Sequence, residues 1–372
     1  MDAPATDTLY EIAFSMYKGI SKPTAATLAG RGVGPREFFT LDSGALAAVS
    51  GLRRDFFSDT ERSRVLECAR RELDFIASNR ITAAFYTSAD YPRRLSECDD
   101  APVVLYCLGR QFADSSHVVS VVGTRHSTAY GIDFTDHLVR DLASAFDDLL
   151  IVSGLAYGID IAAHKAALRE GVPTAAVLAH GLNTVYPADH RGYAAQIVRD
   201  GGGLATEYTT ADRIHKGSFL ARNRIIAGLC DALVVVESDL RGGAMSTARI
   251  ASDYNREVLA VPGRVNDTYS RGCNQLIASS GAALIRDASD LIELLGWIPR
   301  PSEGTQKELP IDISPLHSTV LEFIRRNPAA TVNDMCASLE MPFSRLSSTL
   351  FEMEMADLII SMPGGRYAPV SV

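Results

Sequence analysis

Ala232-Leu233-Val234-Val235-Val236 is the stretch that decides the fold. Both alternating sets of side chains in this run are apolar, so it reads as a strand covered by helices on its two faces. Working outward, similar runs recur at 117–122, 149–153, 174–179, 203–206, 257–261 and 282–285. Amphipathic helical patterns fill 127–145, 158–170, 190–199, 219–229, 244–255 and 272–280. An extended lead-in comes first, from Ile81 to Tyr86, at Tyr91-Pro92, and from Val103 to Tyr106. Strand and helix alternating this often predict an α/β fold with a doubly wound, mostly parallel sheet over residues 81–300.

The flanks have a different rhythm. Residues 1–80 are helical in pattern, with eleven basic and eleven acidic side chains. Two turns, Lys18-Gly19-Ile20-Ser21-Lys22-Pro23 and Ser50-Gly51-Leu52-Arg53-Arg54, resemble degenerate helix-hairpin-helix turns, whose backbone N–H groups can hold a phosphate. Packing or interaction is the plainer role for this helical, SAM-like part. Residues 301–314 are rich in Pro, Gly and polar residues and read as a linker. Helical patterns at 315–326, 331–338 and 343–355, then Leu358-Ile359-Ile360-Ser361 and Gly364-Gly365-Arg366-Tyr367, predict a winged-helix-like domain over 315–372. From residue 301 onward there are five basic and nine acidic residues, which favours a protein-contact or packing role over duplex reading.

The whole chain has 372 residues, 47% apolar and 22% charged, with a formal charge of −9. No apolar run is long enough for a membrane span. The acidic start, Met1-Asp2-Ala3-Pro4, lacks the basic and hydrophobic regions of a signal peptide. The six cysteines show no CxxC or paired spacing, which points to reduced thiols and a cytoplasmic protein. Acidity argues against a coating nucleic-acid binder but allows a local basic groove.

In such a sheet, ligands bind where strands end and helices begin. The first of these turns holds Gly123-Thr124-Arg125; it is not a dinucleotide fingerprint, but a glycine, a hydroxyl and an arginine suit a phosphate. The second runs Ser153-Gly154-Leu155-Ala156-Tyr157-Gly158-Ile159-Asp160, with His164 beyond it expected to pack or face solvent. From Arg213 up to Asp231 there are four basic residues, Arg213, Lys216, Arg222 and Arg224, and no acid before Asp231, with Phe219 and Asn223 interspersed. An aromatic amid cations suits base stacking beside phosphate contact. Arg241-Gly242-Gly243 opens another helix. Several anion-type turns with an arginine cluster point to a polyanion more than to one nucleotide. No GxSxG elbow, P-loop, HExxH or metal-spaced acid cluster is present, so no catalytic residue, metal or cofactor is nominated.

Gly123-Thr124-Arg125, the Ser153–Asp160 turn, Tyr186-Pro187, Arg222-Asn223-Arg224-Ile225-Ile226-Ala227-Gly228-Leu229, Val261-Pro262-Gly263 and Gly272-Cys273-Asn274-Gln275-Leu276-Ile277 occur in this order. Together they closely resemble the bacterial DNA-processing protein A family, DprA/Smf. The resemblance implies an extended Rossmann core that binds single-stranded DNA, forms a homodimer and loads the RecA recombinase during natural transformation. It assigns the family arginine to Arg125. Members often carry a basic residue directly after the Tyr-Pro pair; here it is Ala188, leaving Arg191 or Lys216 to supply the charge. Leu276 and Ile277, near a sheet edge, are the expected dimer surface. Nucleotide phosphoribohydrolases of the lysine-decarboxylase-like group, which carry PGGxGTxxE, offer an enzyme alternative. Gly242 and Gly243 fit that motif, but Arg249 stands near where its acid belongs. A non-catalytic interaction scaffold is the third reading.

Overall fold

The computed structural model describes residues 3–110, 115–300, 314–327, 330–355, 358–362 and 365–369. It divides into two compact units, residues 1–300 and 301–372. Apart from Ser314, the expected linker lies outside the described residues.

In the first unit, the described residues form a sheet of nine strands in the order β1-β2-β6-β5-β4-β3-β7-β8-β9. They are β1 (Ile81–Phe85), β2 (Val104–Gly109), β3 (His117–Val122), β4 (Leu149–Ser153), β5 (Thr174–Val177), β6 (Gly203–Thr206), β7 (Ala232–Val235), β8 (Glu257–Ala260) and β9 (Ala283–Leu284). From β6 through β9 all neighbours are parallel, whereas β1 and β2 form an antiparallel extension on β6. The intervening helices follow the sequence pattern closely: α7 (Ala129–Ala145), α8 (Ile159–Arg169), α9 (Arg191–Arg199), α10 (Lys216–Leu229), α11 (Gly243–Asp253) and α12 (Arg271–Ala278). A short helix α6 (Arg93–Ser96) and a final one, α13 (Ala288–Leu295), complete the set and lie outside the patterns recognised in the sequence.

The deciding strand behaves as its composition requires. Leu233 and Val235 enter one core with Ile225, Ile226 and Ala248 of α10 and α11. Ala232 and Val234 enter the other with Leu138 of α7 and Ala163 of α8. Period-two alternation of apolar side chains thus feeds two layers of helices.

Among the described residues five α-helices precede the sheet: α1 (Ala3–Met16), α2 (Lys22–Ala29), α3 (Pro35–Thr40), α4 (Ser43–Ser50) and α5 (Asp59–Asn79). Their aromatic core, including Phe14, Phe38 and Phe57, is continuous with Ile81, Phe85 and Tyr106 of β1 and β2. Polar ties reinforce the junction. Lys22 Nζ donates to the carbonyls of Ser96 at 2.6 Å and Cys98 at 2.8 Å. Buried Glu72 accepts from the backbone N–H and hydroxyl of Thr210. Lys22, the second lysine of the first hairpin-like turn, is therefore spent on anchoring the helices.

The second unit contains α14 (Pro315–Arg326), α15 (Val332–Ser338), α16 (Phe343–Met355) and the antiparallel ribbon β10 (Ile359–Met362) with β11 (Arg366–Pro369). It has its own apolar core around Val320, Leu346 and Ile359, in the winged-helix arrangement expected. The outer side of α16 exposes Phe351 and Met355, with Arg345 as its one exposed basic residue against Glu352.

Because the amino-terminal helices and the sheet share one core, Phe38→Ala should cost about 3–5 kcal/mol. Thermal unfolding of the 1–300 fragment should remain a single transition, shifted as a whole. A separate early transition, with the sheet signal unmoved, would show that the helices unfold independently.

Candidate nucleic-acid crevice

Strand β3 has β4 on one side and β7 on the other. The chain winds outward in both directions from this point, so a crevice opens above the carboxyl ends of β3 and β7. Three turns approach one another there. The N–H of Thr124 donates to the carbonyl of Glu237 at 2.7 Å, and the N–H of Ile159 donates to the carbonyl of Thr124 at 3.2 Å. Gly158, at φ +79°, makes the second contact possible, since a Cβ there would lie 2.8 Å from Cα of Arg125. Glycine meets both demands, the left-handed backbone and the close approach.

Helix α10 is locked beneath the crevice by Arg222. Its side chain is 3% exposed, and Nη1 donates to the carbonyls of Gly154, at 2.7 Å, and Val177. The carboxylate of Asp160 lies against the same face of Gly154, where a Cβ would meet either group at 2.6 Å. Burial pulls the Arg222 guanidinium down to about 10. Burial likewise raises the Asp160 carboxyl, opposed first by Arg222 and then by the backbone of Ala156 and Gly154. Each of these two desolvated groups favours the charged form of the other.

The resulting cavity, about 420 Å³, brings together Gly123, Thr124, Arg125, Phe219, Asn223, Gly242 and Gly243, with Arg222 and Asp160 in its floor. Arg125 is exposed and its guanidinium lies over the Phe219 ring, 5.3 Å from the centroid. On the far side Phe219 meets Tyr186 at 5.6 Å. Arg241 is exposed on the rim, while the neighbouring acid, Asp239, is taken by Arg271 at 3.1 Å. Helix α11 starts at Gly243 with no side-chain cap. Its first N–H groups can therefore receive an anion. By contrast, α7 is closed by Thr128, whose backbone N–H and hydroxyl donate to the buried Glu237 carboxylate at 2.9 and 2.6 Å.

Other nominated residues fall elsewhere. Ser153 is fully buried, and its hydroxyl donates to the carbonyl of Val121 at 2.6 Å. Gly154 serves the approach of Arg222 and Asp160 rather than the cavity wall. Arg224 turns to a separate cleft, paired with Glu207 at 2.6 Å. Arg191 and Lys216, each the first residue of its helix, are exposed but do not line the crevice. His164 is buried against Thr174 at 2.7 Å, packed as anticipated. Leu276 and Ile277 are half-buried against the sheet core. Two residues of this architecture escaped sequence reasoning as functional: Glu237, which had a signal as the first charged residue after the deciding strand, and Tyr269, which lines the cavity and had none. Among the described residues no cluster of His, Cys, Asp or Glu is arranged to hold a metal, and no helix is long and apolar enough to cross a membrane.

Residues 82–296 match the family model of DNA recombination-mediator protein A, and residues 304–365 that of the DprA winged helix domain. Protein Smf of Synechocystis is 32% identical over 313 residues, covering 75% of this chain and 77% of the relative. A putative DNA processing protein DprA of Mycobacterium tuberculosis is 37% identical over 286 residues, covering 74% and 71%. Among solved structures, DNA processing protein A of Streptococcus pneumoniae superposes with a TM-score of 0.65 at 33% identity, covering 77% of this chain and 97% of that one. Helicobacter pylori DNA processing protein A, described for its single-stranded DNA binding mode, gives 0.52 at 31% identity, covering 58% and 95%.

Removing Arg222 leaves Asp160 buried without its counter-charge. Arg222→Met should therefore cost about 3–5 kcal/mol. With its folded pKa pushed further above the ordinary 3.8, Asp160 must be neutral to be tolerated. The variant should thus lose stability more steeply than the parent as pH rises above about 4. Parallel stability profiles from chemical denaturation across that range would refute the pairing.

Proposed function

Because the chain belongs to the DNA recombination-mediator protein A (DprA/Smf) family, we propose that it binds single-stranded DNA in this crevice and delivers it to a RecA recombinase during natural transformation. The observation that carries the DNA reading is Arg125 held over Phe219 beside the uncapped start of α11. A guanidinium and free N–H groups suit phosphates, and the aromatic face suits an unpaired base. A paired base stays within its stack and cannot reach Phe219, so single strands are favoured over duplex. The recombination step rests on the family description and on the single-stranded DNA binding described for the Helicobacter pylori relative. A non-catalytic, cytoplasmic role accompanies this reading. Of the crevice carboxylates, Asp160 is buried in the floor and Asp239 is paired with Arg271, and the hydroxyl of Ser238 is spent on the carbonyl of Asp239 at 2.9 Å. Self-association is proposed at the β9 edge, where Leu284 is exposed next to α12.

Binding to single-stranded oligonucleotides should weaken with salt by a slope of about −0.7 per phosphate contacted. Arg125→Ala should lower affinity about ten- to a hundredfold and flatten that slope, with only partial recovery in Arg125→Lys. Equal affinity for duplex, salt-indifferent binding, or an unaffected Arg125→Ala protein of native circular dichroism would overturn the proposal. So would release of free base from nucleoside monophosphates.

Deleting residues 301–372 should spare this binding, because the removed unit carries nine acidic and five basic residues and its own core. Loss of binding by a folded 1–300 fragment in a fluorescence titration would move the site to the winged helix.

A further inference from the structure

A polynucleotide has to leave a crevice of about 420 Å³ on some side. Beside it lies a second groove of about 980 Å³, and Tyr269 lines both. At the boundary, His126, the neighbour of Arg125 in the chain, stacks on Tyr269 with ring centroids 6.1 Å apart and planes 25° apart. Beyond it, Tyr130 is 50% exposed, with its hydroxyl anchored on the carbonyl of Pro262 at 2.8 Å, so its ring is held in place. Arg264 stands exposed on the same groove. Of the two acids there, Glu237 is 3% exposed and already accepts hydrogen bonds from the backbone N–H and hydroxyl of Thr128, leaving Asp267 as the exposed carboxylate.

We infer that the bound strand continues over the His126–Tyr269 stack into this second groove, where Tyr130 stacks on a further base and Arg264 contacts a further phosphate. The inference rests on the single-strand reading of the crevice. It extends that reading from a point of capture to a directional track. The physical grounds are the adjacency of the two cavities across Tyr269, the rings of His126, Tyr269 and Tyr130 that line them, and the exposed cation Arg264 in the second. Stacking on fixed rings loses little conformational entropy and tolerates any base, which fits a binder that takes strands irrespective of sequence.

The experiment is a length series. Fluorescein-labelled oligothymidylates of about 4 to 20 nucleotides are titrated with the full chain, with Tyr130→Ala, Tyr130→Phe and Arg264→Ala, each checked by circular dichroism. The full chain should bind longer oligomers more tightly than the shortest that binds. Tyr130→Ala should leave the shortest unaffected and weaken long ones about five- to a hundredfold. Tyr130→Phe, which keeps the ring, should retain most of the gain, and Arg264→Ala should lower the salt slope only for long oligomers. Affinity independent of length, or equal losses at every length in Tyr130→Ala, would overturn the second groove while leaving the crevice intact. Failure of the full chain to bind any oligomer would instead defeat the single-strand reading and this extension with it.

Discussion

The guanidinium of Arg222 is the contact on which the crevice depends. It joins three separate pieces: helix α10 that carries it, the end of β5 through Val177, and the turn after β4 through Gly154. A buried cation survives only where acceptors and a counter-charge replace water, and here two carbonyls and Asp160 do so. Once α10 is fixed, Phe219, almost one turn earlier, has to stand at the crevice mouth beside Arg125. The crevice-facing residues are thus positioned by a residue buried in its floor.

Charge is sorted as well as counted. In a protein of net charge −9, many arginines are balanced locally. Arg224 is held by Glu207, Arg94 by Asp231, Arg256 by Glu97 and Arg271 by Asp239. With Asp239 paired to Arg271, Arg125 and Arg241 line the crevice without an ion pair among the described residues. A local positive field can therefore form within an acidic molecule, because the field depends on placement rather than on the sum. Helix ends follow the same logic. The start of α7 is closed by Thr128 and Glu237, the start of α10 by His215, and the start of α11 is open.

The sequence by itself determined the layered fold. Apolar runs such as 232–236 dictate burial on both faces, and alternation with amphipathic helices dictates a parallel, doubly wound sheet, because period and polarity are local properties of the chain. The ordered glycine turns were legible for the same reason, and Arg125 and Phe219 could be nominated from them. Only the tertiary structure decided which basic residues are free. Arg222 and Arg224 sit two positions apart, so α10 turns them about 200° from each other. One goes into the floor with Asp160 and the other into a different cleft with Glu207. Their partners come from distant parts of the chain, and burial of such pairs leaves no local signature. The same holds for Glu237 against Thr128, for the His126–Tyr269 stack, and for the amino-terminal helices sharing a core with β1 and β2. Secondary structure is written in short-range pattern, whereas a site depends on contacts between residues far apart in sequence, which exist only once the sheet has brought its turns together.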